Sequence, residues 1–406
     1  MKIFLLILLP FMPFFSSAQW FDVTPDSDAE LVFSDFHILD EDIIYFFGTH
    51  INTINNYRTG LVLKTIDGGQ SWDYTQIYYE GTDEQDYGPS IRGADMFNES
   101  FYAMTCNDGD VVIFFEDSLY YSNVCAFCDI NDITILQDSA IVLGANHLTT
   151  YDLGVNWNSI YTIGLLDNKP FFRNEDTVVY TSTEEFNLTE DTYQKIHLST
   201  NKGISFTETN LLTNNRKLKD VLYKNNNIYA VGEGGCFVKV DAELSSYDEI
   251  NTTTNLDLYN IAVASQNNWF VCGGFFESNS AQNGIILGTS DAGENWQSST
   301  FPMLIRKIKM YDSYIGYAIS EEKIYKTTNS GGIDIFSLNE KKTELIPYPN
   351  PASTVLHTGS QEEKHIYNLQ GQMLWQGNDE KVNVSQWEQG IYLLKNQGKV
   401  YRWMKN

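Results

Sequence analysis

Apolar and polar residues alternate along this chain in short bursts broken by Gly, Asn, Asp and Ser. That is the period-two pattern of half-buried β-strands. Strand–turn–strand pairs recur at Leu31–Gly48, Ile91–Thr105, Asp132–Gly144, Lys169–Thr181, Lys217–Gly232, Leu258–Gly273 and Ile305–Ser320. A third strand follows each pair, at Leu61–Thr65, Val111–Phe115, His147–Thr150, Lys195–Thr200, Cys236–Val240, Ile285–Thr289 and Lys323–Thr327. A fourth is expected to begin near the aromatic that comes next. Seven four-stranded units, repeating at roughly 35–55 residues, predict an all-β fold, a seven-bladed β-propeller over residues 19–336.

A polar frame closes the third strand of most repeats. It reads Thr65-x-Asp67-x-Gly69-x-x-Trp72, then Thr150-x-Asp152-x-Gly154-x-x-Trp157 and Ser199-x-Asn201-x-Gly203-x-x-Phe206. Thr289-x-Asp291-x-Gly293-x-x-Trp296 follows, and Thr327-x-Asn329-x-Gly331 lacks the final aromatic. Asp or Asn folds onto nearby backbone N–H groups, Gly supplies a positive φ, and the aromatic returns to the core. These residues are therefore expected to build turns, not to catalyse or to bind metal. Repeats two and five lack the frame, although Asp117 and Asp241 stand near its place. The frame resembles the Asp-box, or BNR, repeat of sialidase-like propellers. Ring closure needs a further strand, and Trp20–Thr24 resembles the segments that follow the other frames. It is expected to form the outer strand of the last blade.

Residues 1–18 have a basic start at Lys2, an apolar run from Ile3 to Phe15 and small residues at Ser16-Ser17-Ala18. This is the pattern of a secretory signal peptide, too short to span a bilayer, and no transmembrane segment is expected elsewhere. The net charge is −27, and it is unevenly spread. Residues 19–339 hold 17 Lys/Arg against 46 Asp/Glu, a net of −29, whereas from Glu340 onward 8 basic residues meet 7 acidic ones. Such acidity argues against nucleic acid and anionic membranes as partners. No EF-hand spacing is present. The five cysteines include Cys125-x-x-Cys128, which lacks the second ligand pair a zinc site needs and follows a strand-rich stretch instead of opening a helix. A local disulfide or buried thiols are expected, with no metal and no cofactor.

The repeat stops near Phe336, and residues 337–346 read as a linker. Tyr348-Pro349-Asn350-Pro351-Ala352-Ser353, Ile366-Tyr367-Asn368-Leu369-Gln370-Gly371 and Gly390-Ile391-Tyr392-Leu393-Leu394-Lys395 then mark short strands between Gly and Asn turns, a small Ig-like β-sandwich over 347–406. The same segments resemble the type A C-terminal sorting domain of the type IX secretion system. That resemblance implies export through the type IX machinery, with the mature protein secreted, extracellular or on the outer-membrane surface.

For residues 19–336, the frame and the Gly-ended strands resemble the photosystem II stability/assembly factor-like propellers, which are binding factors. They also resemble the wider sialidase and glycosidase superfamily. A sialidase-like site needs three Arg on one carboxylate, and the family's Arg-Ile-Pro signature is absent. The five propeller arginines are Arg58, Arg92, Arg173, Arg216 and Arg306. Arg92, Arg216 and Arg306 stand at matching places near the start of inner strands. In an acidic domain they are candidates for an anion or carboxylate site, against the alternative of rim ion pairs. The long connections Tyr78–Pro89, Glu184–Gln194 and Phe275–Asn283 are further candidates, and Tyr78, Tyr79 and Tyr87 suit a glycan. The leading expectation is a non-catalytic binding propeller for a protein or glycan. A glycoside hydrolase or lyase is the alternative, and a structural part of a surface layer is a third possibility.

Overall fold

A computed structural model describes residues 20–79, 87–124, 130, 132–136, 139–143, 148–159, 171–174, 177–185, 192–201, 205–211, 213, 216–275, 283–332, 354–358, 364–368, 372–379, 381–396 and 399–405. The expected signal peptide at 1–18, the linker at 337–346, Gly203 and the Cys125–Cys128 pair lie outside the described residues. The chain divides into two units, Met1–Phe336 and Ser337–Asn406.

In the first unit, the described residues form seven antiparallel sheets of four strands. The first sheet is Glu30–Ile38, Ile44–Ile51, Arg58–Thr65 and Asp73–Ile77; the second is Ile91–Asn98, Phe101–Cys106, Asp110–Phe115 and Ser118–Asn123. The third is Asp132–Leu136, Ser139–Leu143, Leu148–Thr150 and Asn158–Ser159; the fourth is Phe171–Asn174, Thr177–Glu185, Thr192–Ser199 and Thr207–Leu211. The fifth is Leu218–Lys224, Asn227–Gly232, Phe237–Asp241 and Tyr247–Glu249; the sixth is Asp257–Val263, Trp269–Phe275, Asn283–Thr289 and Gln297–Phe301. The seventh is Lys307–Met310, Gly316–Ile319 and Ile324–Thr327, completed by Phe21–Asp22 from the far end of the unit.

Each sheet's first strand lies beside the first strand of the next, and the seventh lies beside the first. The unit is a β-propeller. Its core sits between successive sheets: Phe47 and Val62 of the first sheet meet Met104 and Val112 of the second. Across the closing seam, Phe33, Phe46 and Leu63 meet Tyr317, Ile319 and Ile324. The middle strands Ile44–Ile51 and Phe101–Cys106 read as nearly continuous apolar runs for this reason: each is sandwiched between neighbouring sheets and buries both faces.

The Thr-x-Asp-x-Gly turns are built from side-chain hydrogen bonds. Thr65 Oγ1 donates to Asp67 Oδ1 at 2.9 Å and accepts Gly69 N–H at 2.8 Å. Asp67 Oδ1 also takes Ser71 N–H at 2.8 Å. The same set recurs around Asp152 and Asp291, and Asn201 takes the Ser199 hydroxyl at 2.8 Å; all three accept the N–H four residues on at 2.8–2.9 Å. At Asn329, Oδ1 takes Gly332 N–H at 3.1 Å. Hydrogen bonds to the ionised side chain lower the pKa of Asp67 to about 2 against the smaller opposing effect of burial. The two repeats without the frame solve the turn differently. In the second sheet, Glu116 and Asp117 both take positive φ, 47° and 63°, a two-residue hairpin matched to strand twist. In the fifth, the Asp241 carboxylate gathers the N–H groups and hydroxyls of both Ser245 and Ser246.

Closure uses the N-terminal segment. Phe21 pairs with Lys326 and Asp22 with Tyr325. Gly331, at φ 64°, has Trp20 against it: a Cβ there would lie 2.5 Å from Trp20 Nε1. Trp72 covers Gly69 in the same way, a built Cβ lying 3.3 Å from the indole. Trp20 therefore fills the aromatic slot that the last turn lacks.

The second unit has a four-stranded sheet in the order Met373–Gly377, Lys364–Asn368, Gly390–Asn396, Lys399–Lys405, and a two-stranded one of Val355–His357 with Lys381–Asn383. Leu356 and Val382 share a core with Ile366, Leu394 and Trp403 from the larger sheet.

Candidate ligand-binding surfaces

The inner strands surround a cavity of about 850 Å³ on the propeller axis. β-Bulges after Phe33, Leu218 and Leu258 each aim the next polar side chain sideways toward the following sheet. Asp35 Oδ2 accepts Ala94 N–H at 3.4 Å, and Asp220 Oδ2 accepts Ile261 N–H at 2.8 Å. Asn260 Oδ1 accepts Ile308 N–H at 2.8 Å. Asp95, in the second sheet, takes Ile135 N–H at 2.8 Å. Each polar group thus ties one inner strand to the next. The repeated Ser34-Asp35-Phe36, Ala94-Asp95-Met96, Lys219-Asp220-Val221 and Tyr259-Asn260-Ile261 triplets carry this signal in the sequence. It emerges only when the inner strands are aligned on one another, and the sequence reading missed it.

At the seam the pattern changes. Lys307 takes the place of the acidic residue, and its ammonium binds Asp35. Lys309 joins at 3.2 Å. Burial pushes the Asp35 pKa up, but the two lysine charges and their hydrogen bonds outweigh it and hold the group at about 2. His37 Nδ1 lies 3.6 Å from Asp95 Oδ1, and burial together with Lys309 depresses its pKa.

The three arginines do not converge on this cavity; none of them lines it. Arg216 pairs with Glu249 at 2.6 Å and donates through Nε to Thr213 O at 2.8 Å. Arg306 pairs with Glu321 at 2.9 Å. Arg92 is exposed, with no ion pair among the described residues. Two of the three are rim ion pairs, for an energetic reason: with 46 carboxylates available, a cation at the rim finds one.

The tyrosines also divide. Tyr79 donates to Asp110 Oδ2 at 3.0 Å, and burial with that bond pushes its pKa far up. Tyr78 bonds Gln76 and takes the Tyr121 hydroxyl on its carbonyl at 2.8 Å. Both brace the connection. Tyr87 stacks on Tyr79 with ring centres 5.8 Å apart and is 54% exposed.

One further arrangement has the outline of a nucleophilic relay. Ser182 Oγ lies 2.8 Å from His197 Nε2, and His197 Nδ1 lies 3.5 Å from Glu208. Ser182 and His197 are buried at 6% and 1% exposure, with Tyr180 stacked on the imidazole at 4.3 Å. Three adjacent strands of one sheet supply these groups, and the packing leaves a substrate no approach. They form a buried polar ladder.

Residues 347–406 match the secretion system C-terminal sorting domain family. The chain thus carries a type IX sorting tail, which implies engagement with that machinery and export. Among curated proteins none matches the chain in sequence. Solved structures similar to it are propellers. YCF48 bound to a D1 peptide is 14% identical, with a TM-score of 0.56, covering 76% of this chain and 95% of that one. YCF48 from Cyanidioschyzon merolae is 13% identical, with a TM-score of 0.53, over 76% and 98%. PorZ, a surface component of the type IX secretion system of Porphyromonas gingivalis, is 11% identical with a TM-score of 0.50, over 91% of this chain and 58% of its own. At such identities the likeness establishes the fold. Among the described residues, no helix is long and apolar enough to cross a membrane.

Proposed function

We propose that this is a secreted or surface-exposed binding propeller that takes a protein or glycan ligand without catalysing a reaction. The carrying observation is the use made of its channel carboxylates. Asp35, Asp95 and Asp220 are spent as acceptors for the backbone N–H groups of the next strand, a constructional role. A glycoside hydrolase needs one carboxyl group held protonated, with its pKa raised. Every carboxyl group with a shifted pKa among the described residues shifts down: Asp22, Asp35, Asp67, Asp152, Asp241 and Asp291. Rigid walls with exposed groups between them suit recognition.

The test is a glycan-array and surface-polysaccharide binding screen on the purified exported chain, with released reducing sugar assayed in parallel. Binding without release is expected. Sugar release would overturn the proposal in favour of the hydrolase.

A further inference from the structure

The closing device leaves an opening beside it. The last sheet's outer strand is only Phe21–Asp22, as short as Asn158–Ser159 in the third sheet, whereas that of the first sheet, Asp73–Ile77, has five residues. Beyond Phe21–Asp22, residues 25–29 face residues of the first sheet. A cleft of about 550 Å³ lies between them, within the roughly 300–1,000 Å³ of small-molecule sites.

Its chemistry differs from that of the axial cavity. Trp72 and the exposed Tyr74 line the cleft, backed by Leu31 and by Leu61 and Leu63 of the seam core. Tyr74 is 65% exposed and pairs across the sheet with Leu63. Asp26 and Asp28 line the cleft too. Neither carboxylate has a hydrogen bond or ion pair of its side chain among the described residues, unlike the channel acids. His50, paired with Leu31 across the sheet, reaches the same space, and burial holds its imidazole toward the neutral form. Aromatic side chains and unspent acceptors thus meet in one concavity.

We propose that this cleft binds a neutral or amino-sugar saccharide, with a pyranose ring laid on Tyr74 and Trp72 and its hydroxyl edge on Asp26 and Asp28. A pyranose has both surfaces the cleft asks for: a face of C–H groups for the aromatics and adjacent O–H donors for acceptor-only carboxylates. Anionic glycans are excluded by the two acids and by the surrounding charge. A cationic peptide would be drawn to the whole acidic surface alike, and charge does not single out a cleft whose distinguishing feature is its aromatic wall. The inference rests on the binding reading and names its ligand class.

The experiment uses the full exported chain on an array of neutral, amino-sugar and anionic oligosaccharides, followed by calorimetry with the strongest hit. Tyr74→Ala and the pair Asp26→Asn/Asp28→Asn are compared with Tyr311→Ala, an exposed aromatic in the turn after Lys307–Met310 that does not line the cleft. The expected result is binding to a neutral or amino-sugar glycan, weakened at least about tenfold by each cleft variant and unchanged by Tyr311→Ala. No glycan binding by the wild type, a preference for anionic glycans, or binding that both cleft variants retain would each overturn the cleft. The last of these leaves the binding reading standing with another site. Sugar release that the cleft variants abolish would keep the cleft and overturn the non-catalytic reading. Melting temperatures of the variants within a few degrees of wild type exclude misfolding, since all three positions are exposed.

Discussion

Asp35→Asn keeps the shape of the side chain and removes its charge. The wild-type carboxyl group has its pKa lowered from 3.8 to about 2 in the folded state. That difference is worth roughly 2.5 kcal/mol of stability at neutral pH. The sign follows from the direction. A group with a depressed folded-state pKa contributes fully above its unfolded value near 4 and loses the contribution as pH falls through about 2. The substitution also leaves Lys307 and Lys309 without their counter-charge. Their side chains are 24% and 37% exposed, so they can swing toward water. The total cost should therefore lie near the lower end of the ~3–5 kcal/mol for breaking a buried pair. Urea unfolding of both proteins at several pH values measures it. The gap should be about 3 kcal/mol at pH 7, stay constant to about pH 5, and narrow toward pH 2. A gap under about 0.5 kcal/mol at pH 7, or one that does not change between pH 5 and pH 2, refutes the reasoning.

Two further predictions concern backbone and thiols. Ala292 sits at φ 59° and Gly293 at φ 90°, where a Cβ would lie 2.7 Å from Ile250 Cγ2. Ala292→Gly should stabilise by up to about 1 kcal/mol and Gly293→Ala should destabilise by more than that, both read by thermal melts; equal melting temperatures would refute the strain assignment. Cys106, Cys236 and Cys272 are buried, and burial raises all three thiol pKa values, that of Cys236 to about 11. A thiol reagent at pH 8 should leave these three unmodified in the folded chain and label them after unfolding; peptide mapping that finds them labelled in the folded protein would refute their burial.

Strands and turns were legible because both are local. Alternation marks a strand whatever its partner, and Thr-x-Asp-x-Gly closes its own turn through bonds spanning at most four residues. The closing strand was legible because Trp20-Phe21-Asp22 repeats the pattern after the other turns. What escaped the sequence is what depends on neighbours distant in the chain. Matching positions suggested that Arg216 and Arg306 act together, but the glutamates that neutralise them, Glu249 and Glu321, come from elsewhere in the chain. Tyr79 suited a ligand until Asp110 claimed its hydroxyl. The cleft was invisible because its lining brings Asp26 and Asp28 to Leu61, Trp72 and Tyr74, which no local pattern links.

The seam between the last and first sheets is held twice, and the two latches should be coupled. Pairing Phe21 with Lys326 closes a loop of about three hundred residues, which costs roughly 3 kcal/mol more chain entropy than a ten-residue hairpin. On the outer side, Val23 N–H bonds Ile324 O at 2.9 Å, Thr24 Oγ1 accepts Ile324 N–H at 2.9 Å, Asp22 pairs with Lys323 at 3.0 Å, and Trp20 covers Gly331. On the inner side, Asp35 holds Lys307 and Lys309, and Phe33 N–H bonds Glu321 O at 2.8 Å. Both latches act on the same two sheets, so each offsets an entropy cost that is met only once. If losing either lets the seam open, the second loss removes contacts that are already gone. Trp20→Ala and Asp35→Asn should each lower stability by about 2–3 kcal/mol, while the double variant loses less than the sum by at least 1 kcal/mol. Hydrogen exchange at Phe21–Val23 should also quicken in Asp35→Asn, although Asp35 touches none of those residues. Losses that add within about 0.5 kcal/mol, with exchange at Phe21–Val23 unchanged, would mean that the latches act independently and that the seam does not open as a unit.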